Sequence, residues 1–176
     1  VGTGDLTTTA CIPPEATSVG RLFAKEPLVL AGLPFFARVF ELLDSRIVVE
    51  PLFEDGTFIQ PGTVVAHVTG PSRSLLIGER TALNVLQRLC GSATLTRRWV
   101  EALAGTNTKV CDTRKTSPGM RYMQKYAVAV AGGSNHRFGL DSGVLIKDNH
   151  IAACGSLTEA VRRCRAHAPH VLKVEV

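Results

Sequence analysis

The sequence lacks closely spaced cysteines, long apolar runs and glycine-rich nucleotide motifs, and each absence excludes a class of protein. Its five cysteines are scattered without a C-x-x-C pair, so they predict reduced structural thiols rather than disulfides or a zinc site. No apolar run approaches the roughly 18 residues of a membrane span. Neither G-x-G-x-x-G nor a Walker loop occurs. We therefore expect a cytoplasmic globular protein that does not cross a membrane.

The charge of the chain is concentrated in its last third. The formal net charge is +5, and from Lys109 onward there are 11 Lys or Arg against 5 Asp or Glu, a local net charge of +6. Such a region suggests a nucleic-acid-binding module as one alternative. Only Tyr122, Tyr126 and Phe138 are aromatic there, and no basic stripe or recognition helix is evident. We therefore expect a small-anion site and no nucleic-acid partner.

The first part of the chain alternates short strand-like runs with turn residues. Turn chemistry such as Pro61-Gly62 separates these runs, because Pro presets one dihedral angle and Gly accepts the positive one. One helix is predicted near Pro34 to Leu43. The strand-like runs are 20–24, 28–30, 46–53 and 63–68. The pattern predicts a small α/β layer.

Apolar spacing changes to a helical period from Ser72 to Leu103, and a break is expected at Gly91. Beyond it the pattern repeats strand and helix, which favours parallel strands and the beginning of an (α/β) barrel. An open doubly wound sheet is an alternative, although no nucleotide-binding glycine motif opens any of these helices. We therefore predict an α/β protein with two domains. An open α+β sandwich would occupy residues 1–104, and an incomplete TIM-like barrel residues 105–176.

The stretch DTRKTSPG (112–119) places cations and hydroxyls directly after a predicted strand, 109–111. Arg114 offers a planar fork for a carboxylate or phosphate, Lys115 a point charge, and Thr113 a hydroxyl donor. In a barrel the loops that follow the strands share one face. A clamp for an anion is therefore predicted, although a solvated loop that caps the next helix is an alternative.

Two more polar clusters follow along the chain, GGSNHR (132–137) and KDNH (147–150). His136 is interpreted either as a ligand contact or as a structural histidine. We expect Lys147 to be buried at a strand end with Asp148 as its counter-charge, and Asp112 to pair with Arg114. Three other histidines, His67, His167 and His170, have no metal-ligand spacing and are interpreted as structural or exposed.

Several segments together resemble the quinolinate phosphoribosyltransferase family. They are GERTALNVLQRLCGSAT (78–94), DTRKTSPGMRYMQKYAVAVAGGSNHRFGL (112–140) and IKDNHI (146–151), with GTGDLTT (2–8) and EDGTFIQPG (54–62) in register. The resemblance implies transfer of phosphoribosyl from 5-phosphoribosyl-1-pyrophosphate to quinolinate with decarboxylation, which gives nicotinate mononucleotide for NAD synthesis. It also implies Mg²⁺ bound with the phosphoribosyl donor.

The resemblance further implies a homodimer in which Arg80 reaches the neighbouring subunit's site, whereas the sequence pattern alone indicates a surface arginine. It assigns Lys115 and Lys147 to catalysis at the phosphates, and Arg80 and Arg137 to the two quinolinate carboxylates. The remaining implied contacts are Thr113, Arg114 and His136.

A related nicotinate or nicotinamide phosphoribosyltransferase is the main alternative, but such a pocket needs one carboxylate-binding fork fewer. The chain starts with Val1 and stops at Glu175-Val176, where the family's acidic strand reads E-V-E. We therefore expect a fragment that is inactive by itself.

Overall fold

The structure is a computed structural model that describes residue 2 and residues 4–176, in which six helices and seven strands are present. The helices are α1 Leu6–Cys11, α2 Leu33–Leu43, α3 Ser72–Ala102, α4 Arg121–Val130, α5 Asp148–Cys154 and α6 Leu157–His167. The strands are β1 Thr17–Phe23, β2 Leu28–Val29, β3 Val48–Pro51, β4 Phe58–Ile59, β5 Val64–Pro71, β6 Val144–Leu145 and β7 Val174–Glu175. None of the helices within these residues combines the length and hydropathy that a bilayer crossing requires.

The first half of the chain forms an antiparallel sheet covered by helices. Strand β5 lies between β1 and β3 in a three-stranded sheet, and β2 pairs with β4 in a separate antiparallel ladder. The turn at Pro61-Gly62 forms as predicted, with Gly62 at φ 81° and the Thr63 N–H donating to the Gln60 carbonyl at 3.3 Å. The core joins one face of this sheet to α2 and α3 through buried residues such as Phe36, Phe40 and Leu86.

Helix α3 runs without interruption through Gly91, so the expected break there is wrong. Gly91 is exposed, while Leu89, Cys90 and Ala93 on either side of it are buried. A glycine inside a helix costs only about 1 kcal/mol relative to alanine. Packing of the flanking residues outweighs that cost, and the continuous helix contacts α2, β5 and α4.

The second half has short parallel pairings. Strands β6 and β7 are parallel, and Cys111 forms a single parallel bridge with Ser134. The predicted strand at 109–111 is therefore reduced to this bridge, and the strand expected from Val171 begins only at Val174. The mixed α/β class is confirmed. The barrel, and the division of the chain after residue 104, stay predictions.

Candidate active site

The first basic loop, residues 112–119, is held by polar side chains of the loop itself and of the helices α3 and α4. The Lys115 N–H donates to Thr113 Oγ1 at 3.1 Å, and the Ser117 N–H donates to Gln124 Oε1 of α4 at 2.9 Å. Arg88 of α3 donates to Ser117 Oγ at 3.1 Å. These bonds fix the backbone of the loop without using the charged ends of Arg114 and Lys115.

Asp112, at the start of this loop, is the centre of a polar cluster. Its Oδ1 accepts from Lys125 Nζ and, at 2.8 Å, from the His136 N–H. Lys125 Nζ also donates to the His136 carbonyl at 3.0 Å. With its amide oriented to suit its neighbours, Asn135 donates to Asp112 Oδ2 at 2.8 Å and to the Lys125 carbonyl at 3.0 Å. We call these four residues the Asp112 cluster.

The partner of Asp112 corrects the expectation that it would pair with Arg114. The Asp112 carboxylate faces α4 and pairs with Lys125 on the buried side of that helix. Arg114 makes no ion pair with Asp112. Sequence proximity favoured Arg114, only two residues away. The actual cation lies thirteen residues further on, because the chain after α4 returns to pair with Cys111 through Ser134, and this places Lys125 beside Asp112.

The second basic loop, residues 132–137, begins at the end of α4. The Gly132 N–H donates to the Ala129 carbonyl and the Gly133 N–H to the Val128 carbonyl, both at 3.0 Å, and Gly132 has φ 92°. This is a Schellman motif, in which a glycine with positive φ ends the helix. A Cβ on Gly133 would lie 2.7 Å from Val128 Cγ1. The loop can leave α4 this closely only because a glycine occupies that position.

His136 and Arg137 end the second loop with different contacts. His136 Nε2 lies 2.9 Å from Glu175 Oε2 of β7. Arg137 donates from one terminal nitrogen to the Gly143 carbonyl at 2.8 Å, just before β6. These bonds link the loop to both strands of the parallel pair. The role of His136 as a ligand contact stays a prediction, because its ring contacts Glu175 here.

The third basic loop, residues 147–150, follows β6, but Lys147 is exposed and makes no ion pair with any residue that the structure describes. The expected burial and the expected pairing with Asp148 are therefore wrong. The local structure has another cause: the Lys147 N–H donates to His150 Nδ1 at 2.9 Å, so the side chain of His150 caps the short helix α5.

Four cations of these loops lack a carboxylate partner among residues 2 and 4–176, namely Arg114, Lys115, Arg137 and Lys147. The Nε atoms of Arg114 and Arg137 are also buried without a hydrogen-bond partner in the described part of the chain. A buried donor without an acceptor is costly. Both guanidinium groups are thus suited to an anion that accepts from Nε.

The contacts tie the first and second loops directly, through the Asp112 cluster, and the third loop indirectly, through Arg137 and the strand pair. Arg80 is not part of this arrangement within one chain. It is exposed on α3, eight residues before Arg88, which reaches the first loop. Arg80 is therefore about 12 Å along the helix axis from the residue that contacts the first loop.

Cys111 lies beside the Asp112 cluster but is a poor nucleophile. Although Cys111 is exposed, partial desolvation raises the pKa of its thiol, and the neighbouring Asp112 carboxylate raises the pKa further. The thiol form is therefore favoured. Among the residues that the structure describes, no group of three His, Cys, Asp or Glu side chains is arranged to hold a metal ion.

Sequence reasoning missed Lys125, Asn135 and Glu175 as parts of this region. For Lys125 one signal existed: it directly precedes the apolar run 126–131. Glu175 had its place in the acidic strand of the resemblance but no assigned contact. Asn135 is part of the predicted GGSNHR cluster, but nothing in the sequence indicated that it contacts Asp112.

Family models describe nearly the whole chain. The model "Quinolinate phosphoribosyl transferase, N-terminal domain" matches residues 5–90, and the model of the C-terminal domain matches residues 92–176. Their junction falls inside α3, the helix that contacts both halves.

Named relatives agree with these models. The chain is 46% identical over its whole length to a probable nicotinate-nucleotide pyrophosphorylase [carboxylating] of Bacillus subtilis and covers 61% of that protein. It is 42% identical, over 95% of its length, to the human nicotinate-nucleotide pyrophosphorylase [carboxylating], of which it covers 56%. A crystal structure of NadC from Streptococcus pyogenes superposes with a TM-score of 0.94 at 46% identity, over 99% of this chain and 62% of that one. The chain thus spans about three fifths of the length of its relatives.

Proposed function

This chain belongs to the quinolinate phosphoribosyltransferase family, and we propose on that premise that the whole protein makes nicotinate mononucleotide for NAD synthesis. The substrates would be quinolinate and 5-phosphoribosyl-1-pyrophosphate, and the other products pyrophosphate and carbon dioxide. The observation that carries the proposal is the set of four cations without carboxylate partners in the three basic loops. Both substrates are multiply charged anions, so these cations match them.

The carboxylates of quinolinate are assigned to arginines. Arg137 is held through one terminal nitrogen by Gly143, which leaves its Nε and second terminal nitrogen for a carboxylate. Arg114 likewise has a buried Nε that lacks an acceptor in the described chain. A guanidinium fork binds a planar carboxylate through two parallel hydrogen bonds, which a lysine cannot do. Arg80 supplies a further fork if it comes from a second subunit.

The phosphates are assigned to lysines. Lys115 and Lys147 are exposed point charges on loops that follow Asp112 and β6. Thr113 adds a hydroxyl beside Lys115. As pyrophosphate leaves, negative charge grows on its oxygens, and cations fixed before the reaction stabilise that charge without reorganisation. Lys115 and Lys147 are therefore the proposed catalytic residues.

The transfer step follows from these positions. The ring nitrogen of quinolinate attacks C1 of the ribose while the bond from C1 to the pyrophosphate oxygen breaks, through a ribose with oxocarbenium character. The Mg²⁺ that accompanies the donor is part of that substrate. Loss of carbon dioxide then leaves an electron pair on the ring carbon next to the quaternised nitrogen, and a proton from solvent binds to that carbon. No protein base is required for this step.

We also propose a homodimer, in which Arg80 completes the site of the neighbouring subunit. Arg80 is exposed and makes no ion pair with any described residue. It borders a hollow of about 1,120 Å³ between β1 and α3, lined mostly by apolar side chains such as Leu76 and Leu83. Apolar surface of this extent beside an unpaired arginine is suited to a protein partner.

A cytoplasmic location completes the proposal. All five cysteines are free thiols, and free thiols are typical of reducing compartments.

Product analysis and calorimetry test the proposal. The full-length protein should release pyrophosphate and carbon dioxide only when quinolinate and the phosphoribosyl donor are both present, and it should bind quinolinate more tightly than nicotinate. Arg137→Ala should lose the preference for quinolinate, because nicotinate lacks the second carboxylate. The matched control is Arg165→Ala, an exposed arginine of α6 outside the basic loops. Equal binding of both acids by the unaltered protein would contradict the assignment.

A further inference from the structure

Lys125 is the one buried cation in the described chain, at 4% exposure, although it lies in the middle of an otherwise regular helix. A lysine is almost never fully buried unless it is paired. Here its ammonium group contacts two acceptors, the Asp112 carboxylate and the His136 carbonyl at 3.0 Å. The function proposed above does not use this residue.

Stability alone does not account for burying a charge at this position. Replacing a buried ion pair with well-packed apolar residues is often neutral or stabilising, because desolvation offsets the attraction between the charges. Nearby residues show that apolar side chains pack well here, since Ala127 of α4 and Ala131, which follows the helix, are fully buried in a cluster with residues of α3 and β2. The ion pair is therefore better explained by a role in fixing the position of another part of the structure.

The geometry of the Asp112 cluster supplies that role, because it holds both backbone groups of His136. The His136 N–H donates to Asp112 Oδ1 at 2.8 Å, and the His136 carbonyl accepts from Lys125 Nζ. Both bonds meet at one ion pair, so the peptide units on each side of His136 have a single arrangement. The second of these peptide units joins His136 to Arg137, so its orientation sets where the Arg137 side chain begins.

The same ion pair also joins the first basic loop to the second. Asp112 begins the loop that carries Arg114 and Lys115, and its N–H donates to the Ser134 carbonyl at 3.1 Å. The side chains of His136 and Arg137 are then held further out, by Glu175 and the Gly143 carbonyl. A shift of the backbone at His136 would move both side chains relative to the first loop.

We infer that Lys125 is a positioning residue for quinolinate: through Asp112 and the His136 carbonyl, it sets the distance between the second basic loop and the first. The inference rests on the function proposed above. Lys125 touches no substrate in this assignment. It acts through the backbone of His136 and, beyond it, the guanidinium of Arg137.

Two neighbouring residues of α4 provide a matched test. Lys125→Met removes the contact to the second loop, whereas Tyr126→Phe removes a hydrogen bond in the opposite direction, from Tyr126 Oη to Asp55 at 2.7 Å. In the full-length enzyme, kcat/KM for quinolinate should fall about 100-fold for Lys125→Met, since a displacement of about 1 Å has that effect. KM for quinolinate should rise about tenfold. Tyr126→Phe should stay within about threefold of the unaltered enzyme.

The KM values separate positioning from stability. A purely structural loss lowers the fraction of folded enzyme, so apparent kcat falls while KM for quinolinate does not change. If Lys125→Met does not fold because Asp112 is left as an unpaired buried charge, the double variant Lys125→Met/Asp112→Asn removes that charge. It should fold and still show the raised KM. An unchanged KM for quinolinate in either folded variant overturns the inference, whereas an unaltered enzyme without phosphoribosyl transfer overturns the proposed function instead.

Discussion

The N-terminal sheet and the basic loops are positioned by different forces. In the sheet, β5 pairs with β1 and β3 over long registers, and the core beside it contains side chains such as Phe40 of α2 and Ile59 of β4 that are almost completely buried. In the basic loops the parallel pairings are one or two residues long, and polar side chains connect one segment to the next. The first region is held by apolar packing, and the second by a few directed hydrogen bonds. Substitutions should therefore affect stability in one and activity in the other.

The largest effect is expected for Phe40→Ala in the sheet region. Phe40 packs edge-on against Phe36, with ring centroids 5.2 Å apart, and lies against Gly78 of α3. Removing the ring leaves a cavity, and the free energy of unfolding should fall by about 3–5 kcal/mol. Denaturant unfolding of the full-length protein measures this. Activity per folded molecule should be unchanged, and a loss of activity without a loss of stability would break the comparison between the two regions.

The converse change is Arg114→Ala in the first basic loop. We expect kcat/KM for phosphoribosyl transfer to fall about 100-fold, or about 2.7 kcal/mol, because a charge-assisted contact to an anionic substrate is lost. The free energy of unfolding should stay within about 0.5 kcal/mol, since the charged end of Arg114 has no carboxylate partner among the described residues. Steady-state kinetics and denaturant unfolding measure the two quantities. Arg98→Ala, at an exposed site of α3, is the control.

The same difference explains what the sequence could predict. Apolar periodicity reports burial, so the strand-like runs and the helix near Pro34 to Leu43 were found close to their actual bounds. At Gly91 the same reasoning failed, because it applied the intrinsic cost of one glycine and had no access to the packing of α3 on α2 and α4. The short helices α1 and α5 were missed, since six or seven residues give too little periodicity.

In the candidate site the sequence predicted which residues are present more readily than how they are paired. The basic clusters were recognisable because cations and glycines follow strand-like runs. Asp112 needs a cation, and several follow it in the sequence, so only the folded chain shows that Lys125 is its partner and that Arg114 is not. The prediction that Lys147 is buried was wrong for a similar reason. It assumed that the strand end is covered, and β6 has only two residues.

The junction of the two regions gives the next smaller effect. Asp55 lies in the turn 54–57, where it accepts from the N–H groups of Gly32 at 2.7 Å and Leu33 at 3.2 Å and from Tyr126 Oη. Asp55 therefore caps the first turn of α2 although it is remote in sequence, and its bond to Tyr126 connects α2 to α4. Asp55→Ala should lower the free energy of unfolding by about 2 kcal/mol, because three donors lose their acceptor.

The Tyr126 hydroxyl gives a direct reading of this contact. Burial raises the pKa of Tyr126, and the hydrogen bond to Asp55 raises the pKa further. In Asp55→Ala the pKa of this phenol should therefore move down toward its ordinary value, as followed by an NMR titration of the assigned Tyr126 ring. A stability loss without this change would show that the two halves are not joined through Asp55.

The smallest effect is expected where the contacts are local, on α6. Hydrogen bonds from Arg162 and then Arg163 lower the pKa of Glu159 to about 2. These pairs are three and four residues apart on one helix, so spacing alone identifies them, unlike the pair of Lys125 and Asp112. A carboxylate with a lowered pKa stabilises the folded state above the pKa of the unfolded chain, and this contribution is lost as the pH falls from about 4.5 toward about 2.

Glu159 is exposed enough that its contribution to stability should be small, so its titration is the sharper measurement. In Arg162→Gln/Arg163→Gln, the pKa of Glu159 measured by NMR should rise toward 4.5. The midpoint of thermal unfolding should change little, and activity not at all, because α6 supplies none of the proposed contacts to substrate. The variant Arg165→Gln, in the last turn of α6, should leave the pKa unchanged. If it raised the pKa of Glu159 as much as the double variant does, the general field of the basic region, and not the two local contacts, would control this carboxylate.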